Sequence, residues 1–117
     1  MLLNEVIEIL KASVICGENL ESIEIKTACG SDMMSDALAF VKDHGMLLTG
    51  LLNPQAVRTA DMLDMRCIVF VRGKMPGNET IELANERGII LLSTDYRMFT
   101  ACGRLYAAGL GGGCEEI

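Results

Sequence analysis

Cys67-Ile68-Val69-Phe70-Val71-Arg72-Gly73 is the stretch that decides the fold. Its first five residues are apolar without a break, and Ile68, Val69 and Val71 are β-branched. A strand with one wet face would alternate apolar and polar side chains. An unbroken β-branched run is instead buried on both faces, as in the middle of a parallel sheet. The run stops at an arginine and a glycine, where the chain must turn. Such a strand needs helices above and below it, and the flanking sequence is expected to supply them.

On its C-terminal side, Ile81 and Ala84 recur at helical spacing, and Gly88 follows as a left-handed stop. Ile89-Ile90-Leu91-Leu92 is a second buried strand. Thr94 or Asp95 is expected to start a last helix with Met98, Cys102 and Leu105 on one side and Gly109 at its end. On the N-terminal side, Asn53-Pro54 reads as helix cap and first helical position, ahead of Val57, Ala60 and Leu63. Met46-Leu47-Leu48-Thr49 is the strand before it, closed by Gly50. Further back, Ser31 or Asp32 is placed to cap a helix carrying Met34, Leu38 and Val41, which Gly45 ends. Ile23-Glu24-Ile25-Lys26-Thr27 alternates as a half-exposed strand does, at or near a sheet edge. Val14-Ile15-Cys16 is expected as a short buried strand closed by Gly17, and Asn4 is expected to cap a first helix with Val6, Ile7 and Leu10 inward.

Strand and helix thus alternate with short links, which means βαβ units with right-handed crossovers. The expected fold is a three-layer α/β/α sandwich around a mainly parallel sheet of about five strands. Residues 1–110 form one domain, and the glycine-rich segment 111–117 is a flexible tail.

Composition excludes several functions. The chain has 117 residues, half of them hydrophobic, and a formal charge of −6. That length suits one domain with its own core. No basic stripe occurs, which argues against a nucleic-acid partner. No apolar run reaches the roughly 20 residues of a membrane span, and the N-terminus lacks the basic start of a signal peptide. Five cysteines, an odd number without a C-x-x-C pair, read as reduced core thiols of a cytoplasmic protein. His44 is the single histidine, read as a helix-end residue, and no metal site or cofactor is expected.

In a parallel sheet the strand ends and helix starts gather along one edge. That edge is expected to hold Gly30, Ser31 and Asp32; Thr49, Gly50 and Asn53; Arg72 and Gly73; and Thr94 and Asp95. Arg72 is the sharpest of these, a guanidinium projected above the sheet close to helix starts, where an anion is favoured. The plain alternative is that Arg72 pairs with a carboxylate such as Asp95, and that Ser31, Thr49, Asn53 and Thr94 only cap helices. Cys29, before a helix start, is a remote candidate for a reactive thiol.

No phosphate-loop motif, dinucleotide fingerprint or H-E-x-x-H is present, and nothing assembles nucleophile, base and orienting group, so no catalytic residue is assigned.

Leu47-Leu48-Thr49-Gly50, Asn53 to Arg58, Ile68 to Gly73, Ile81 to Ile89 and Leu92-Ser93-Thr94 together resemble the DRTGG domain, as does Gly30-Ser31-Asp32 with Leu38. The sequence is also similar to the N-terminal domain of bacterial HPr kinase/phosphorylase. The resemblance implies an α/β/α fold, a homodimer, and a regulatory or assembly role, since such domains occur beside CBS domains in regulated pyrophosphatases and next to phosphate acetyltransferases. Chains of this kind carry kinase labels, but the kinase's phosphate loop has no counterpart here. The Asp-Arg pair that gives the family its name is missing near Asn53-Pro54. Of the Thr-Gly-Gly turn only Gly73 remains, with Val71 and Arg72 in the other two places.

The expected function is a non-enzymatic regulatory module that binds a small anionic effector or a partner protein. A scaffold that dimerises without a ligand is the alternative, and an enzyme using Cys29, or Thr49 with Asp95, a distant third.

Overall fold

The computed structural model describes residues 1–40 and 45–113. Their elements are α1 (Leu3–Leu10), β1 (Ser13–Cys16), a short 3-10 turn (Leu20–Ser22), β2 (Thr27–Gly30), α2 (Met34–Phe40), β3 (Gly45–Thr49), α3 (Pro54–Met62), β4 (Cys67–Phe70), α4 (Asn78–Arg87), β5 (Ile90–Ser93) and α5 (Met98–Ala107). The five strands form one sheet in the order β1-β5-β4-β3-β2. β2, β3, β4 and β5 are parallel, and β1 runs antiparallel to β5. This is the expected three-layer sandwich, with β4 at its centre.

The topology decides the layers. From β2 to β5 the chain steps one strand at a time in one direction, so right-handed crossovers put α2, α3 and α4 on the same face. Leu47, Ile68, Phe70 and Leu91 point into that face and pack with Met34, Ala37, Ala56, Val57, Ala60 and Ala84. The alternate residues Met46, Leu48, Cys67, Val69, Ile90 and Leu92 point the other way, onto Leu3, Val6 and Leu10 of α1 and Ala101 and Leu105 of α5. Period-two alternation therefore feeds two separate cores from strands that look uniformly apolar in sequence.

Several local expectations hold. Asn53 Oδ1 accepts from the Gln55 amide at 3.0 Å, with Pro54 in the first helical turn. Gly88 caps α4 at φ 70°. β2 is an edge strand, as expected for the Ile23–Thr27 region, but it begins only at Thr27. Ile23 and Ile25 are buried against α1, and the Ile25 amide donates to the Met1 carbonyl at 2.7 Å.

Other expectations are corrected. Val14-Ile15-Cys16 is not a buried strand: β1 is the other sheet edge, and Val14 is exposed. Cys29 and Gly30 belong to β2 rather than to a helix start. α1 begins at Leu3, so Asn4 lies inside it, and the Glu5 carboxylate takes the Leu2 amide instead. In α2 it is Met34 and Ala37 that are buried, while Leu38 is exposed, and Gly45 opens β3 instead of ending α2. α5 starts at Met98, three residues after Asp95, because Thr94 and Asp95 form the loop that carries the chain over the sheet edge. Gly111 pairs with Thr27 and accepts from the Ala28 amide at 3.0 Å. Val41, His44, Cys114, Glu115 and Glu116 lie outside the described residues. No helix among the described residues is long and apolar enough to cross a membrane.

Candidate functional site

The parallel register aligns the C-terminal ends of β2, β3, β4 and β5: Gly30 lies beside Leu48, Thr49 beside Phe70, and Phe70 beside Ser93. The residues that follow these ends share one rim. Gly30, Ser31 and Asp32, then Thr49, Gly50 and Asn53, then Arg72 and Gly73, then Thr94 and Asp95 all lie along it.

The rim has a switch point between β4 and β5. After β4 the chain leaves for α4 on one face, and after β5 it leaves for α5 on the other. Ligands of open α/β sheets bind in the crevice such divergence creates. Here two backbone bonds close it at the base. The Arg72 amide donates to the Tyr96 carbonyl, and the Gly73 amide to the Thr94 carbonyl, both at 2.8 Å. Thr94 is itself buried; its hydroxyl donates to the Leu10 carbonyl at 2.7 Å, tying the β5 loop to the end of α1. The Arg104 guanidinium stacks over the Tyr96 ring at 4.5 Å and fixes the same loop to α5.

Arg72 and Gly73 have φ angles of 69° and 67°, two consecutive left-handed residues as in the mirror-image turns that favour glycine. The turn thus keeps a glycine-type conformation although an arginine occupies its first place. A left-handed non-glycine residue costs about 1–2 kcal/mol. The Arg72 side chain leans back over β3, where a Cβ added at Gly50 would run into its guanidinium. Among the described residues no carboxylate pairs with it, and Arg87 with Asp61 is the ion pair present. Asp95 stands over Gly73 instead, its Oδ1 3.0 Å from where a Cβ would sit.

The Gly50 side of the rim was not legible as built. Asp32 Oδ1 accepts from the Gly50 amide at 2.6 Å and from the Thr49 hydroxyl at 3.2 Å. Asp32 therefore does not cap α2, and Ser31 turns its hydroxyl to the Met33 amide at 3.0 Å. Thr49 caps no helix either: its Oγ1 accepts from the Leu51 amide at 3.1 Å within the loop. Of the rim residues expected as caps, Ser31, Asp32, Thr49, Asn53, Thr94 and Asp95, only Asn53 acts as one. A bond between positions 17 residues apart leaves no local sequence signal.

Gly30 has a packing role. A Cβ there would come within 2.6 Å of Cys102 Sγ and 3.1 Å of Met98 Sδ, so α5 crosses β2 over its bare backbone. The described cysteines are free. Burial pushes the Cys29 thiol up, and the Asp36 carboxylate pushes it further. Burial also raises Cys102, helped by Cys29, and raises Cys67 most, since it is wholly enclosed. A thiol held protonated is a poor nucleophile, which removes the support for Cys29 as a reactive group. Among the described residues no cluster of three or more His, Cys, Asp or Glu side chains is arranged to hold a metal ion.

The larger hollows open elsewhere. One of about 550 Å³ lies at the opposite sheet edge, bordered by Gly17, Arg66, Asn85 and Gly88. An apolar one of about 410 Å³ lies between β2 and α5, bordered by Ala28, Leu48, Leu105, Tyr106 and Leu110.

No match was found among curated proteins. Among solved structures, the chain is similar to the CBS and DRTGG domains of the regulatory region of Clostridium perfringens pyrophosphatase, solved in complex with the activator diadenosine tetraphosphate. The TM-score is 0.74 at 19% identity, over 88% of this chain and 45% of that one. The present chain thus spans less than half of that protein's crystallised region, and the likeness shows a shared fold. The model of the DRTGG domain matches residues 5–108, nearly the whole of the described sheet and its helices, and the chain belongs to the DRTGG domain family.

Proposed function

We propose that this domain is a non-catalytic sensor that binds a small anionic effector, a nucleotide or phosphorylated metabolite, over Gly50 and Arg72. It acts as a homodimer in the cytoplasm and passes the bound state to a partner protein. Residues 1–110 act as one unit, with the glycine-rich end as a tail.

The observation that carries this reading is Arg72. It holds a backbone conformation that glycine would adopt more easily, and it places an unpaired guanidinium over the rim. Strain kept at an exposed position calls for a functional reason. The Gly50 backbone lies against the guanidinium, and the Gly50 amide and Thr49 hydroxyl beside it are donors that suit phosphate oxygens. A nucleotide activator in the pyrophosphatase regulatory region supports the class of ligand. The overall charge of −6 opposes anions, and salt screens the share of it that lies more than about 10 Å from the rim.

Replacing Arg72 with glycine tests the reading without harming the fold. Relief of the left-handed strain offsets the added freedom of glycine, so stability should hold or rise by up to about 1 kcal/mol. Wild-type protein screened against nucleotides and phosphorylated metabolites should gain about 2.7 kcal/mol at a hundredfold excess over the dissociation constant. Arg72→Gly should lose that gain. A flat wild-type screen, or full binding by the variant, would sink the anion reading.

One observation favours a second reading, a scaffold that only dimerises. On α5, Phe99 is 90% exposed and Tyr106 64%, with Gly103 between them at helical spacing. This stripe adjoins the apolar hollow beside β2. Phe99→Glu should turn a dimer into a monomer in sedimentation velocity, with melting changed little once the protein is monomeric. A Phe99→Glu protein that sediments as wild type does would remove α5 from the interface.

A further inference from the structure

Asp32 presents to the rim what a ligand would present. One of its carboxylate oxygens accepts from the Gly50 amide at 2.6 Å and the Thr49 hydroxyl at 3.2 Å, at the C-terminal end of β3. These are the donors that an incoming phosphate oxygen would use, and the Arg72 guanidinium lies against the same glycine. The bond is short and charge-assisted, although it lies exposed to solvent. Resting on the anion reading above, we infer that Asp32 is an internal pseudo-ligand that occupies the rim's anion site and must be displaced before an external anion binds.

The local build suits such a gate. The Ser31 amide donates to the Leu48 carbonyl at 3.0 Å, so β2 stays zipped to β3 up to that point. Asp32 comes just after this anchor and before α2, on an exposed segment. Rotating its side chain frees Gly50 and Thr49 without disturbing the sheet. An intramolecular carboxylate competes at high effective concentration. The apparent affinity for any anion is then lowered by the fraction of molecules whose site is open. Weak anions would be excluded, and only ligands with several charged oxygens, which also engage Arg72, would open the site. Occupancy would in turn release the Asp32 segment ahead of α2, giving the bound state a structural signature.

The probes are inorganic phosphate and pyrophosphate, titrated by calorimetry into the full chain. Asp32→Asn keeps a side-chain acceptor but weakens its bond, and should bind pyrophosphate about tenfold more tightly than wild type. Asp32→Ala, if it folds, should gain at least as much. Asp36→Asn removes the same charge within α2, away from the Gly50 amide, and should bind as wild type does. Arg72→Gly combined with Asp32→Asn should lose the gain. Equal affinity of Asp32→Asn and wild type, with Arg72→Gly still weakening both, would overturn the pseudo-ligand and leave the anion reading standing. An equal gain in Asp36→Asn would overturn it as well, reducing the effect to net charge. No binding by any variant, including those lacking the carboxylate, would overturn both.

Discussion

Phe70→Ala should lower stability by about 4 kcal/mol, within the range for truncating a buried phenylalanine. Phe70 is fully buried at the end of the central strand, flanked by Thr49 of β3 and Ser93 of β5. Among the described residues it is the one aromatic ring in the core beneath α3 and α4, which it shares with the small side chains of Ala56, Ala60 and Ala84. Alanine side chains have no reach with which to fill the space a lost ring would leave. The hole would persist and carry its full cost in lost contacts. With domain stabilities of about 5–15 kcal/mol, about a quarter or more of the total would vanish. Urea unfolding is the measurement, and the midpoint should fall at nearly constant slope. Met62→Ala, at an exposed position on α3, should stay within about 0.5 kcal/mol of wild type. A Phe70→Ala loss as small as that would mean the ring is not packed as described.

The second large effect belongs to Gly17, the residue after β1. Its φ of 133° lies where side-chain-bearing residues rarely go. A Cβ there would come within 2.6 Å of Ile90 Cγ1 and 3.1 Å of Ile90 Cβ. Ile90 is buried in β5 and β-branched, so it cannot swing aside as a methionine would. Gly17→Val therefore combines backbone strain with overpacking, each about 1–3 kcal/mol, for a loss of about 3 kcal/mol or more. Gly17→Ala already brings the Cβ that meets Ile90 and should show the backbone cost together with part of the contact cost, and Gly88→Ala a smaller loss, since Gly88 is left-handed but opens onto free space. If Gly17→Val and Gly88→Ala cost the same, the contact with Ile90 is not what restricts the site. The sequence marks Gly17 only as a strand stop; its neighbour across the sheet shows why the residue must be glycine.

Much of the site was legible in outline and little of it in detail. Gly30, Asp32, Thr49, Arg72 and Thr94 were expected along one edge because parallel strands bring their C-terminal ends together, and the register does so. The roles differ from those expected because they depend on partners far along the chain. Thr94 was read as a helix cap, yet its hydroxyl reaches Leu10, 84 residues away. Gly30 is expected beside Ser31 and Asp32 among the candidates of the edge, yet it makes room for Cys102 and Met98. Cys29 was placed beside a helix start that would favour a thiolate, yet it lies in β2, where burial and Asp36 disfavour one.

What the sequence determined by itself is what neighbouring residues determine physically. Apolar period and β-branching made β3, β4 and β5 strands, proline after asparagine started α3, and glycine ended α4; each of these forces acts over a few residues. What only the tertiary structure decided is which groups meet across the sheet: the antiparallel return of β1, the bare backbone of Gly30 under α5, and Asp32 on the amide of Gly50. Each is a contact between segments whose own conformations would be satisfied in other arrangements, so it is chosen by the packing of two faces around β4 and not by any local preference.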